Sequence, residues 1–154
     1  MNWTDVLALA PFIIVSAAIV VVMLVTAFHR SHKAAFSLTL IGLAGAFACV
    51  PWTARFAPRQ VTPLLSLDPY ALFFVGLLVL TTFAVAVMSY DYLESRSDVT
   101  RPEEYYLLLM LAGLGGMVLV ASSHFASFFV GLEILSVSLY GLVAYLRDSA
   151  RSLE

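Results

Sequence analysis

Five uncharged stretches divide this chain, at 6–28, 34–50, 70–90, 105–121 and 125–145, the last interrupted only by Glu133. A bilayer core takes about 20 residues of helix, with a range of roughly 17–25, and each stretch fits. Helix is the required conformation, because a lipid-exposed strand leaves its backbone groups unpaired. The Val and Ile of the first stretch favour strand in water, but in lipid backbone pairing overrides that preference. The pattern predicts an all-α fold, a polytopic membrane bundle of five transmembrane helices occupying residues 1–154 as one membrane domain with no soluble domain.

The polar residues between the stretches mark helix ends. Asp68-Pro69 reads as an N-cap followed by proline at the first helical position, where a missing N–H costs nothing. Pro102-Glu103-Glu104 sets proline and two acids at the positive end of a helix dipole. Pro51 is expected to close the second helix. Trp3, Trp52, Tyr90, Tyr92, Tyr105, Tyr106 and Tyr145 fall at segment ends, as an interfacial aromatic belt requires. Residues 51–69 read as a short loop with four prolines. Ser122-Ser123-His124 alone joins the last two stretches, which predicts a tight antiparallel helical hairpin. The chain shows no internal repeat.

Composition agrees. Hydrophobic residues make up 62% and charged residues 12%, with a mean hydropathy of +0.96. Soluble domains carry about a quarter charged residues, so the solvent here is largely lipid. A net charge of −2 and the lack of any basic stripe argue against a nucleic-acid partner. One cysteine, Cys49, excludes an intramolecular disulfide. The N-terminal Met1–Asp5 stretch has one acid and no base, and the apolar run after it is too long for a signal-peptide core, so it reads as a retained first helix.

Five spans put the first and third connections and the C-terminal tail on one side of the membrane. That side carries Arg30, Lys33, Arg96, Arg101, Arg147 and Arg151, against Arg55 and Arg59 on the other. The excess of basic residues predicts an N-terminus outside and a cytoplasmic C-terminus.

Glu133 is the residue out of place. It is ninth in its stretch, roughly 12 Å from the start at 1.5 Å per residue and so near mid-membrane depth. A carboxylate there costs about 2.5–3.5 kcal/mol on insertion scales. Ser136 and Tyr140 follow at i+3 and i+7 on the same face. The stripe Glu133-Ser136-Tyr140 is expected to face protein or internal water, with Glu133 in proton transfer. The plainer reading is a protonated Glu133 hydrogen-bonded to a neighbouring helix. The sequence holds no cation within a span, and its one lysine, Lys33, lies at a helix end where it reaches the surface. An ionised Glu133 therefore takes its counter-charge from elsewhere.

Other residues carry less. His29 and His32 could be a metal pair, but the adjacent Arg30 and Lys33 favour a basic topology anchor. His124, in the last turn, is a candidate proton relay or an ordinary interfacial residue. Gly113, Gly115 and Gly116 predict close helix packing, and Phe125, Phe128 and Phe129 packing or lipid contact. No phosphate loop, nucleophile triad, haem motif or cysteine cluster is present.

Three runs in the second half, Glu104-Tyr105-Tyr106-Leu107-Leu108-Leu109, Leu119-Val120-Ala121-Ser122-Ser123-His124 and Gly131-Leu132-Glu133-Ile134-Leu135-Ser136 with Tyr140, carry a resemblance. Asp68-Pro69-Tyr70 and Asp91-Tyr92-Leu93-Glu94 add to it. The chain resembles subunit N of NADH:quinone oxidoreductase, respiratory complex I, the bacterial counterpart of mitochondrial NADH dehydrogenase subunit 2. That resemblance implies the leading part of a fourteen-helix, antiporter-like, proton-translocating subunit in a bacterial plasma membrane. It implies that Glu133 matches the glutamate that pairs with a lysine two helices later, in sequence beyond residue 154. Partners would be other membrane-arm subunits of complex I. No cofactor is expected in this chain, since NADH, FMN, the iron–sulfur clusters and quinone would be bound by other subunits. The sequence departs from the family at Ser138, where proline is common five residues after the glutamate. Two alternatives stand beside it: a subunit of a multi-subunit cation/proton antiporter or membrane-bound hydrogenase, and a structural or assembly membrane protein without transport.

Overall fold

The structure, a computed structural model, describes residues 3–95 and 102–145. Proline and polar caps set its element ends. Helix α1 (Trp3–Ala8) gives way at Leu9 to α2 (Ala10–Phe28), so the predicted single helix over 6–28 is two, starting earlier. Pro11 explains the break. It has no N–H for the carbonyl of Leu7, and its ring crowds the preceding turn.

Helix α3 (His32–Thr53) starts at Ser31, whose hydroxyl accepts from the Ala34 N–H at 3.4 Å. It runs through Pro51 rather than ending there, which corrects the expected 34–50 boundary. In a last turn the proline forfeits one bond only, and the Thr53 hydroxyl donates to the Val50 carbonyl at 2.8 Å. A 3-10 turn (Ala54–Phe56) follows.

The stretch expected to be plain loop contains a two-stranded antiparallel hairpin, β1 (Arg59–Thr62) and β2 (Leu65–Leu67). Arg59 faces Leu67, Gln60 faces Ser66 and Thr62 faces Leu65, with an irregularity at Val61. Val61 and Leu67 are buried in the core, and the Thr62 hydroxyl accepts from the Leu65 N–H at 3.0 Å to close the turn. Prolines at 58 and 63 flank the first strand, where no ladder donor is lost.

Helix α4 (Pro69–Ser95) begins as predicted, with Asp68 Oδ1 accepting from the Ala71 N–H at 2.6 Å. It continues past the expected end at Tyr90, because Leu93 is buried on the next turn. Helix α5 (Pro102–Ala121) opens with the proline and two acids, and α6 (Phe125–Tyr145) follows after three residues. Five of the helices are long and apolar enough to cross a membrane, as the hydrophobic pattern requires, and the protein is a multi-pass membrane protein.

Packing is closest between α5 and α6. A Cβ on Gly115 would stand 2.6 Å from the Leu135 nitrogen, and one on Gly131 2.9 Å from that of Leu119, so neither position admits a side chain. Gly113 is likewise closed by Thr82, but Gly116 meets Leu78 at an ordinary 3.4 Å, so close packing does not explain that glycine. The main core joins Phe12, Val15, Leu43, Val75, Val79 and Met110 from α2, α3, α4 and α5.

Two ends follow from this path. One gathers α1, the hairpin and the α5–α6 turn. Arg59 donates to Asp5 at 2.7 Å, Leu65 bridges to Ser122, and Ser127 donates to the Leu64 carbonyl at 2.6 Å. The other holds His32, Tyr90 and Tyr106. Of the residues used for orientation, Arg96, Arg101, Arg147 and Arg151 lie outside the described residues.

Candidate functional site

Helix α6 owes its orientation to small residues. Ser127, Gly131 and Ser138 are its buried positions; Gly131 lies against Gly115 and Leu119 of α5, and Ser127 against the hairpin. Two helical residues span roughly 200° of rotation, so Glu133 points almost directly away from Gly131 and the bundle. Glu133 is exposed, Tyr140 is 73% exposed, and Ser136 is half-buried between them. The expected stripe is therefore real as a helix face, and it lies on the outer surface of α6, flanked by exposed Phe129 and Val137. Among the described residues, none hydrogen-bonds to Glu133 or forms an ion pair with it. A protonated Glu133 packed on a neighbouring helix is thus not an arrangement seen within these residues.

Ser138 is buried seven residues on from Gly131, on the same face of α6. Its hydroxyl donates to the Ile134 carbonyl at 2.6 Å, and its backbone remains a helical donor. α6 consequently passes Glu133 without a break.

His124 is not brought to Glu133. It sits at the start of α6, where Nδ1 accepts from the Ala126 N–H at 3.2 Å and the carbonyl accepts from Phe128 at 3.1 Å. Nine residues of rise separate the two, roughly 14 Å. The turn histidine is a helix cap here. No metal-binding group of three His, Cys, Asp or Glu occurs among the described residues.

Instead His32 belongs to a cluster that the belt reading missed. Its ring stacks on Tyr90 at 4.7 Å and shares a 2.8 Å hydrogen bond with the Tyr106 hydroxyl, while Phe36 packs on Tyr90 at 4.4 Å. Tyr106 is fully buried, which corrects its assignment to the interface. Trp3, Trp52 and Tyr92 are exposed as belt residues should be. The signal available in sequence was a histidine and two tyrosines at the same end of three different spans. Nearby, the hydroxyls of Ser89 and Tyr105 lie 2.8 Å apart. This cluster locks α3, α4 and α5 together at one end.

Chemically, the arrangement offers one carboxyl at mid-span depth, presented outward with a hydroxyl on the same face. Such a group can hold or release a proton and can meet a cation brought by another helix. No family model matches the chain.

Proposed function

We propose that the chain is a proton-translocating, antiporter-like membrane subunit of an NADH:quinone oxidoreductase, with Glu133 as its proton-transfer group. One observation carries this reading: a carboxyl at the middle of a span, turned away from its own bundle and unpaired among the described residues. Burying an acid in lipid without purpose is costly, and a partner surface removes that cost. The partners are other membrane-arm subunits or further helices of the same subunit. Redox chemistry takes place elsewhere, and this chain contributes the membrane step.

Low-dielectric surroundings favour the neutral form of a carboxyl, and an approaching cation favours the charged form. A lysine on a facing helix that moves toward Glu133 and back would thus release and reload a proton without covalent chemistry. Ser136 and Tyr140, on the same face, extend a hydroxyl path along α6. His124 lies at the end of the same helix.

The test is Glu133→Gln in the assembled complex, with proton pumping followed in membrane vesicles and NADH oxidation by an artificial acceptor reporting assembly. Gln keeps size and hydrogen bonding but holds no charge. Loss of pumping with intact NADH oxidation, and partial recovery in Glu133→Asp, is the expected result. Normal pumping in the Gln variant refutes the assignment.

A further inference from the structure

Two cavities of different character lie one after the other along the seam between α2 and α5. From Ile13 through Ser16 and Val20 to Met23 and Ala27, every third or fourth residue of α2 falls on one helix face, and Arg30 follows two residues after the helix ends at Phe28. Leu107, Leu111, Leu114 and Val118 make the matching face of α5. The apolar part is an open groove of about 660 Å³ between Leu9 and Val21, floored by Leu114 and Val118. At the His32 end a second cavity of about 200 Å³ lies between Arg30 and the acids Glu103 and Glu104, with Met23, Ala27 and Leu107 beneath. Because α2 and α5 run antiparallel, these charges of both signs meet at one mouth of the groove.

An apolar groove followed along the same seam by a cavity that, among the described residues, sets Arg30 beside Glu103 and Glu104 has the layout of a zwitterionic lipid. One leaflet is about half of a roughly 30 Å hydrocarbon core, or about ten helical residues at 1.5 Å. Eight helical residues lead from Val20 to the end of α2 at Phe28, and Arg30 stands two residues beyond it. A partner helix would need the apolar stripe but has no use for opposite charges side by side at its end. An anionic phospholipid would place its net charge against Glu103, which is only 5% exposed and lines the cavity.

We propose that this groove binds one aminophospholipid of the phosphatidylethanolamine class. Its phosphate meets the Arg30 guanidinium, its ammonium meets Glu103 and Glu104, and an acyl chain lies along Met23, Val20 and Leu107. The site is independent of Glu133, which is on α6.

The experiment uses dioleoyl phosphatidylethanolamine with a photoactivatable diazirine on the acyl chain. It is incorporated into vesicles holding the full chain in the assembly with which it is extracted. Labelling is expected to concentrate on Val20, Met23 and Leu107, and to be displaced by unlabelled phosphatidylethanolamine but not by phosphatidylglycerol. Arg30→Gln and Glu104→Gln should each lower that labelling about fivefold, the worth of one charge contact near a membrane surface. Val20→Trp fills an exposed part of the groove without touching the core, and should abolish labelling there while membrane insertion is unchanged. Equal displacement by the two lipids overturns the proposal, as does labelling spread evenly over the outer faces of α2 and α6. A protein–protein cross-link at Val20 in place of lipid overturns it as well.

Discussion

Asp5 and Arg59 stand 54 residues apart in sequence and 2.7 Å apart in space, joining the first helical turns to the strand that follows the second span. The side chains are 12% and 33% exposed, so the pair is partly sheltered. Asp5→Asn should cost at most about 1 kcal/mol of stability, in the range of partly exposed ion pairs. Hydrogen exchange should rise in residues 3–8 and 59–62 and stay unchanged in α5. The double variant with Arg59→Gln should be no worse than either single one; additive losses would show that the contact carries no coupling.

The ends of the bundle make a topology prediction. Residues near Arg59 and near His124 share one end, and those near Lys33 lie at the other. Reporter fusions near Arg59 and His124 should therefore report the same side, opposite to one near Lys33. The basic-residue bias further predicts that the Lys33 side is cytoplasmic. Matching reports from Lys33 and Arg59 would contradict the five-span path.

Gly115→Ala should push α6 away from α5, because its new methyl would fall on backbone rather than on a side chain that can turn aside. A loss of about 1–3 kcal/mol is expected for such overpacking. Gly116→Ala, with ordinary space at Leu78, should be close to neutral. Unfolding of the two variants in bicelles separates these outcomes, and equal losses would remove the distinction.

Thr39 offers the opposite sign. It is fully buried, and among the described residues its hydroxyl is the buried side-chain group without a hydrogen-bond partner. Thr39→Val keeps the shape and removes the unpaired hydroxyl, so it should stabilise the chain by about 1 kcal/mol. A destabilised valine variant would mean that Thr39 has a polar partner after all.

Much of the fold was legible in sequence because lipid leaves the backbone few choices. The five spans, the Asp68 cap and the three-residue turn before α6 all followed from uncharged length and from a few polar punctuation marks. Less legible were features that depend on contacts distant in sequence. Nothing local in 59–67 announced a hairpin, since its strands are short and it leans on Ser122, Ser123 and Ser127, about 60 residues on. Pro51 looked like a stop because the rule describes a helix interior, whereas in a last turn its missing donor matters little. Tyr106 shared the sequence position of belt residues, but only the packing of α3 and α4 around it decides that it faces inward. At Glu133, depth came from counting residues; the outward direction required knowing that Gly131 faces α5 and that Ser138 is buried on the same side.

The hairpin's dependence on the α5–α6 turn sets an order of events during synthesis. Ser123 and Ser127 bond to the carbonyls of Pro63 and Leu64, so β1 and β2 reach their final seat only after a further 60 or so residues have been made. At about 5–20 residues per second that is a wait of roughly 3–12 s. For that interval the second connection waits with its strand edges unclaimed. It is then open to chaperones or to any neighbour that offers an edge. Delivery of the last two spans as one antiparallel unit closes that interval, making the short turn at residues 122–124 the latch of the assembled protein.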